Sequence, residues 1–399
     1  MSTAAPDSRA RAAARATTLQ HDSVPMRLYH EAKRLGTWDP RNIDLRADAQ
    51  DWTRFSVVER DVLLRLTVLF QAAEESMTRD VLPLIMTVVR EDRLEEELFL
   101  TTFLSEEARH TEFFRRVLDE VCRQSGDLQR YQTPSFRRLF AERLPAAMAA
   151  LLTDPSPLAQ ARALVTYTLV GEGVLGEAGY HVYTTALEGR RAMPGFREGL
   201  RRAQQDEDRH MAYGLFLLSR LVGADPKVWD AVSRCMDELL PLTLGVVSEF
   251  FEPYTPMPFG LRLEDTVQYA IARFSSRWAD LEEARERGSP APTADPAGPA
   301  RRVADETVRD VVAWMSRELD STPVGMQGDS GTVYTLRVGD SSTSALLITR
   351  EVLDYHSAAD VIGALRTHAV PRRLRERRVR LTCFRAGGKI IVQPPDEGP

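Results

Sequence analysis

Ser105-Glu106-Glu107-Ala108-Arg109-His110 has a counterpart a hundred positions later in Asp206-Glu207-Asp208-Arg209-His210. Both contain Glu-x-x-His with Arg just before the His, and both lie in long stretches patterned as amphipathic helix. Residues at i and i+3 leave a helix on the same face. Each stretch therefore offers one carboxylate and one imidazole to the same point. Two such helices, with a lone Glu from each of two others, supply the ligands of a dinuclear carboxylate site inside a four-helix bundle. Glu74 and Glu172 are the candidates for the lone glutamates. One Glu-x-x-His usually means a solvated helix face. The order Glu, Glu-x-x-His, Glu, Glu-x-x-His is far more specific.

Working outward, Ser56 with Glu59 three residues on forms a capping-box pattern, and a helix carrying Glu74 is expected to run on to about Val88. The next helix, about 91–122, carries Glu107 and His110. After a shorter helix (134–152), two long ones hold Glu172 (158–187) and Glu207 with His210 (194–222). Segments 226–251 and 263–285 read as helices packed outside the bundle.

Glu74 lies in an otherwise apolar helix, where an ionised carboxylate is costly unless paired or bound to metal. Its neighbour Glu75 is turned about 100° away and reads as exposed. Glu172 sits among Gly171, Gly173 and Gly176. Each interior helix glycine costs roughly 0.5–1 kcal/mol relative to Ala, so the cluster suggests room for a metal, a ligand or a close helix crossing. Glu177 and His181, four apart, form a competing pair. Asp206, beside Glu207, reads as the acceptor that orients a ligating His. Four carboxylates and two imidazoles suit iron or manganese, and no thiolate favours structural zinc. The plain alternative is a metal-free bundle with buried ion pairs, which would leave carboxylates poorly compensated.

The chain has 399 residues, 43% hydrophobic and 28% charged, as in ordinary globular proteins. A net charge of −6 gives no general attraction to nucleic acid or anionic membrane. Cys122, Cys235 and Cys383 form no C-x-x-C and indicate neither a zinc knuckle nor a disulfide framework; a reducing, cytoplasmic setting fits. No stretch reaches the roughly 18 apolar residues a membrane span needs. Residues 1–21 are expected to be a disordered tail, lacking the apolar core of a secretory signal. Residues 22–286 form the helical domain, 287–301 a Pro/Ala/Gly linker and 302–399 a small α+β domain. In that last part Arg372, Arg373, Arg375, Arg377, Arg378 and Arg380 make a basic run, either a solvated helix end or an anion or nucleic-acid contact. The expected fold is therefore mainly α: a helical bundle with a small C-terminal α+β domain.

From Asp22 to Arg285 the chain resembles the ribonucleotide reductase small-subunit superfamily, and within it the ligand-binding oxidases with a manganese/iron cofactor. The likeness rests on Trp38-Asp39-Pro40, Phe70 to Glu75, Ser105 to Phe114, Tyr167 to Glu172 and Asp206 to His210. It implies a ferritin-like fold, a homodimer, and metal ligands Glu74, Glu107, His110, Glu172, Glu207 and His210 holding Mn and Fe, or two Fe. It also implies dioxygen as co-substrate, a long-chain fatty acid or similar apolar ligand beside the metals, and Trp38, Asp206 and His110 as an electron-transfer chain. The radical tyrosine of most reductase subunits is matched here by Phe114, and the segment 393–399 lacks a docking tyrosine. A reductase subunit without that tyrosine, and a non-catalytic metal- or lipid-binding sensor, are the competing readings. The oxidases join a tyrosine, matched by Tyr167, to a valine, matched by Met77. Methionine has no tertiary Cβ–H and has an oxidisable thioether, so no ether bond of that type is expected. Tyr180 matches a second tyrosine near the site in those relatives, which the resemblance offers as the oxidisable group instead.

Overall fold

The computed structural model describes residues 18–124, 126–188, 190, 192–287, 298–319, 324–329, 333–338, 345–349, 352, 358–376, 380–386 and 389–393. Residues 1–17, most of the expected N-terminal tail, lie outside them, as do 288–297 of the expected linker.

The helix that carries Glu74 spans Val57–Asp80 and starts where its capping box put it. Ser56 Oγ accepts from the Glu59 amide at 3.3 Å, and the Glu59 carboxylate accepts from the Ser56 amide at 2.8 Å. It stops well before Val88, because Pro83 has no N–H to continue the ladder; a separate helix covers Leu82–Arg90. The first Glu-x-x-His helix is Leu94–Arg116, with a π turn at Val117–Val121 completing the expected 91–122 segment. The second is Pro194–Ala224. Asp48 caps it from a distant helix, its carboxylate accepting from the amides of Gly195 (3.0 Å) and Phe196 (2.6 Å).

The Glu172 segment holds the main local departure. It opens as an α-helix at Pro157–Leu164, runs as a π-helix through Val165–Gly176 and returns to α at Glu177–Glu188. The i→i+5 ladder of a π-helix takes up an extra residue per turn and is tolerated where a functional group must be re-aimed. Gly214 lets the second Glu-x-x-His helix lie against it, since a Cβ there would collide with Thr168. Outside the bundle lie helices Pro226–Phe251 and Leu263–Arg287. One apolar core runs through all of this, from Val24 to Leu281. No helix among the described residues is long and apolar enough to cross a membrane.

Residues 308–392 build a second core. A five-stranded sheet is ordered β1 (Val324–Asp329), β2 (Val333–Val338), β3 (Ala345–Thr349), β4 (Arg380–Ala386), β5 (Lys389–Gln393). All neighbours are antiparallel except β3 and β4, whose parallel pairing is reached through helices Ala358–Thr367 and Val370–Glu376. Parallel neighbours require such a crossover. The sequence of β1, Val-Gly-Met-Gln-Gly-Asp, carries two glycines and no clear alternation, so its own pattern does not announce a strand. Helix borders the undescribed part of the expected 287–301 linker on both sides. Arg287 is still helical and a new helix begins at Gly298, with Pro299 in the first turn where its missing N–H costs nothing. Of the basic run, Arg372, Arg373 and Arg375 sit on Val370–Glu376 and Arg380 opens β4, while Arg377 and Arg378 lie outside the described residues. Arg375 donates to the backbone carbonyl of Glu318, as expected of a residue closing a helix end.

Candidate metal centre

The two Glu-x-x-His helices, the Val57–Asp80 helix and the π-helical segment bring their acids and imidazoles to one buried point. Among the described residues, two groups of ligand atoms lie within 4.8 Å of one another: Glu74, Glu107, His110 and Glu207, and Glu107, Glu172, Glu207 and His210. Glu107 and Glu207 belong to both, so the six residues form two adjoining pockets with a shared wall. His110 Nδ1 is 3.2 Å from Glu207 Oε1 and 3.5 Å from Glu74 Oε2. His210 Nδ1 is 3.0 Å from Glu107 Oε1, 3.3 Å from Glu207 Oε2 and 3.6 Å from Glu172 Oε1.

Behind each imidazole stands an acid. His110 Nε2 faces Asp206 Oδ2 at 3.2 Å, and His210 Nε2 faces Glu106 Oε2 at 3.0 Å. With a metal bound, Nε2 donating outward would leave each ring's Nδ1 unprotonated towards the carboxylates, the form a metal ligand needs. Arg209, 1% exposed, donates to Glu106 at 2.6 Å and pairs with Asp206. Arg109 approaches the same two acids at 3.6 and 3.7 Å. Trp38 Nε1–H completes the Asp206 shell with a 2.8 Å bond to Oδ2. The two halves of the centre are thus joined behind the imidazoles by a buried strip of two acids and two guanidinium groups. Glu106 went unnoticed in the sequence. Its signal was available, for an acid precedes Glu in both copies of the motif and only Asp206 was read as a partner.

The electrostatics are those of a pocket short of positive charge. Burial, with neighbouring carboxylates, pushes Glu74 up to about 8 and raises Glu107 and Glu172. Glu207 goes down to about 2, because the imidazoles of His110 and His210 beside it outweigh the burial that would raise it. Asp206 is lowered as well; burial is overcome by His110, Arg209 and Trp38. Both Glu107 oxygens, both Glu172 oxygens, Glu207 Oε2 and both Nδ1 atoms are buried without a hydrogen-bond partner. Unsatisfied buried acceptors are expensive. Here all of them converge, so the donor set fits a pair of divalent cations: two of them would neutralise the four carboxylates.

The remaining candidates separate clearly. Tyr167 is buried, and its hydroxyl donates to the Met77 carbonyl at 3.1 Å. The Met77 thioether lies beside Gly171, where a Cβ would be 3.7 Å from its sulfur. Tyr180 is buried with its hydroxyl unpartnered. Burial first, and the nearby carboxylates second, raise both phenols well above the ordinary tyrosine range. Glu75 is half exposed and paired with Arg79. Glu177 is drawn away from the centre: Arg273 holds it at 2.7 Å and Arg277 pairs with it, while His181 stacks on Tyr269 with ring centres 4.7 Å apart. That pair therefore belongs to helix packing. Phe114 is fully buried against Phe70, Phe113 and Phe196.

A cavity opens against Glu74, Glu172 and Glu207. Its walls are otherwise mostly apolar, with Phe70, Met77, Phe140, Tyr180, Val247 and Phe251 among them.

The profile of the family described as "Ribonucleotide reductase, small chain" matches residues 25–274. Three similar solved structures are R2-like ligand-binding oxidases. One, with aerobically reconstituted Mn/Fe cofactor after a long soak, is 33% identical at a TM-score of 0.63, over 65% of this chain and 93% of its own. A valine-to-isoleucine variant with the aerobically reconstituted cofactor is 33% identical at 0.63, over 65% and 95%. A valine-to-leucine variant reconstituted anaerobically is 34% identical at 0.62, over 65% and 94%.

Proposed function

Because this chain belongs to the ribonucleotide reductase small-chain family, we propose that its buried carboxylate and histidine centre holds two transition ions, Mn with Fe or two Fe, and makes it an oxidase. The observation that carries the reading is the set of unpartnered buried oxygens and Nδ1 atoms on Glu107, Glu172, Glu207, His110 and His210, two overlapping ligand groups facing one point. Glu74, Glu107, His110 and Glu207 would hold one ion; Glu107, Glu172, Glu207 and His210 would hold the other. Such a pair, when bound, supplies the two electrons that reduce dioxygen.

The chain's own residues set what can be oxidised. The mostly apolar cavity next to Glu74, Glu172 and Glu207 suits a long-chain fatty acid or another elongated apolar molecule. Tyr167 and Tyr180 stay protonated in their carboxylate-rich surroundings and each keeps an O–H hydrogen to give up. Asp206 orients His110 and bonds the Trp38 indole, a route by which an electron can arrive from outside. The fully buried phenyl ring of Phe114 removes the phenol on which a radical-storing reductase subunit depends, which favours the oxidase reading.

Metal analysis of protein from cells supplied with both metals should give about two ions per chain. Folded protein with less than one would defeat the proposal. A second expectation concerns Met77 and Tyr167. The phenol is tied to the Met77 backbone, and the Met77 side chain ends at Gly171 and the cavity. After oxygen exposure of loaded protein, peptide mass spectrometry should show the two unmodified, or Met77 heavier by one oxygen. A joined peptide lighter by two hydrogens would contradict this.

A further inference from the structure

Glu172 has no hydrogen bond of its own to aim it, because both its oxygens are buried without a partner. Its direction therefore depends on the backbone that carries it, a π-helix interrupted by Gly171, Gly173 and Gly176. Both features weaken a helix, so something outside it must hold it.

That support is visible on helix Leu263–Arg287. Arg277 is 4% exposed, and its guanidinium donates from Nη1 to the backbone carbonyl of Gly173, the residue after Glu172. Its other terminal nitrogen pairs with Glu177 Oε1, while Arg273 Nε donates to Oε2 of the same carboxylate at 2.7 Å. A buried guanidinium is tolerable only with such partners. Glu177 in turn is kept ionised, since the pull of Arg273 and Arg277 overcomes its burial. Gly173 makes the approach possible: a Cβ there would stand 3.1 Å from Arg277 Nη1 and 2.9 Å from the Thr168 carbonyl. Apolar contacts among Val174, Ala178, Ala270 and Phe274 flank the clamp and join the same two helices without it. Arg277 lies three positions beyond the family-matched segment, which ends at 274.

We propose that Arg277 is a positioning residue for Glu172, clamping the Gly173 carbonyl so that the π-helix presents the Glu172 carboxylate to the centre. The role rests on the metal-binding reading above, and the test separates the two. In the full-length chain, Arg277→Met is combined with Glu177→Gln, so that the Arg277–Glu177 pair is removed as a unit, an amide oxygen at 177 still accepts from Arg273, and the flanking apolar contacts keep the fold. Arg277→Lys is made in parallel; it can still pair with Glu177 but lacks the planar fork that serves two acceptors at once. Hydrogen exchange by mass spectrometry on metal-free protein reports on amides 169–178, and competition titration with manganous ion, then ferrous ion without oxygen, reports on affinity. In the double variant, the 169–178 amides should exchange about tenfold faster and one of the two sites should bind about tenfold more weakly. The Lys variant should fall between the double variant and wild type. Unchanged exchange and unchanged affinity would overturn the proposal. Faster exchange with both affinities intact would overturn it too, because the clamp would then be holding the helix and not Glu172. If wild type binds no metal, the functional reading fails, and unchanged exchange in the same experiment would remove the clamp as well.

Discussion

Replacing Glu107 by Ala is expected to take the protein from about two bound ions per chain to less than one. Glu107 belongs to both ligand groups, its Oε1 lies 3.0 Å from His210 Nδ1, and neither of its oxygens has a hydrogen-bond partner. Truncation therefore removes a donor from both pockets at once and takes out their shared wall. Metal content by elemental analysis, on protein shown to be folded by circular dichroism, is the measurement. Glu75→Ala is the matched control: one residue from Glu74, it is half exposed and paired only with Arg79, its partner at i+4. Such a pair contributes about 0.3–0.5 kcal/mol, and metal content should stay at the wild-type level. Equal losses in the two variants would mean that the centre lies elsewhere.

Glu106→Ala is expected to have the second-largest effect, on stability as well as on metal. Glu106 receives Arg209 at 2.6 Å and His210 Nε2 at 3.0 Å, all three fully buried. Removing one partner of a buried ion pair costs about 3–5 kcal/mol. Because Asp206 still faces Arg209, the loss should fall near the lower end, about 3 kcal/mol. His210 would also lose the acceptor that fixes its tautomer, and such changes weaken metal binding about 10–100-fold. Urea unfolding of metal-free protein and metal competition titration read the two effects separately. Glu106→Gln keeps an acceptor for His210 and should recover most of the affinity. Glu112→Ala, on the exposed face of the same helix, should stay within about 0.5 kcal/mol of wild type. If Glu106→Ala behaves like Glu112→Ala, the strip behind the imidazoles has no part in holding the centre.

Several parts of this architecture were legible because they depend on local spacing. Ser56 and Glu59 announce a helix start three residues apart, and the structure puts the capping box there. Glu107 with His110, and Glu207 with His210, share a helix face by periodicity alone. Strand β1 was not legible, since a Gly-containing hexapeptide is held as a strand by its pairing with β2 and not by its own preference. Nor was the break after Asp80, although Pro83 was its visible cause.

Glu177 and His181 show where local spacing stops being sufficient. At i and i+4 they match a ligand pair as well as Glu172 does. They face Arg273, Arg277 and Tyr269 because an outer helix packs on that side and because the π-helix shifts the phase of the turns around it. By itself the sequence determined which residue types are available, their order along four helices and the one face of each Glu-x-x-His helix on which they stand. Only the tertiary structure decided that Glu107 and Glu207 are shared between two pockets, that Glu106 and Asp206 meet across Arg209, and that Glu172 and not Glu177 reaches the centre. The physical reason is that spacing fixes side chains relative to their own helix axis, whereas each helix's rotation about that axis is set by the packing of its neighbours.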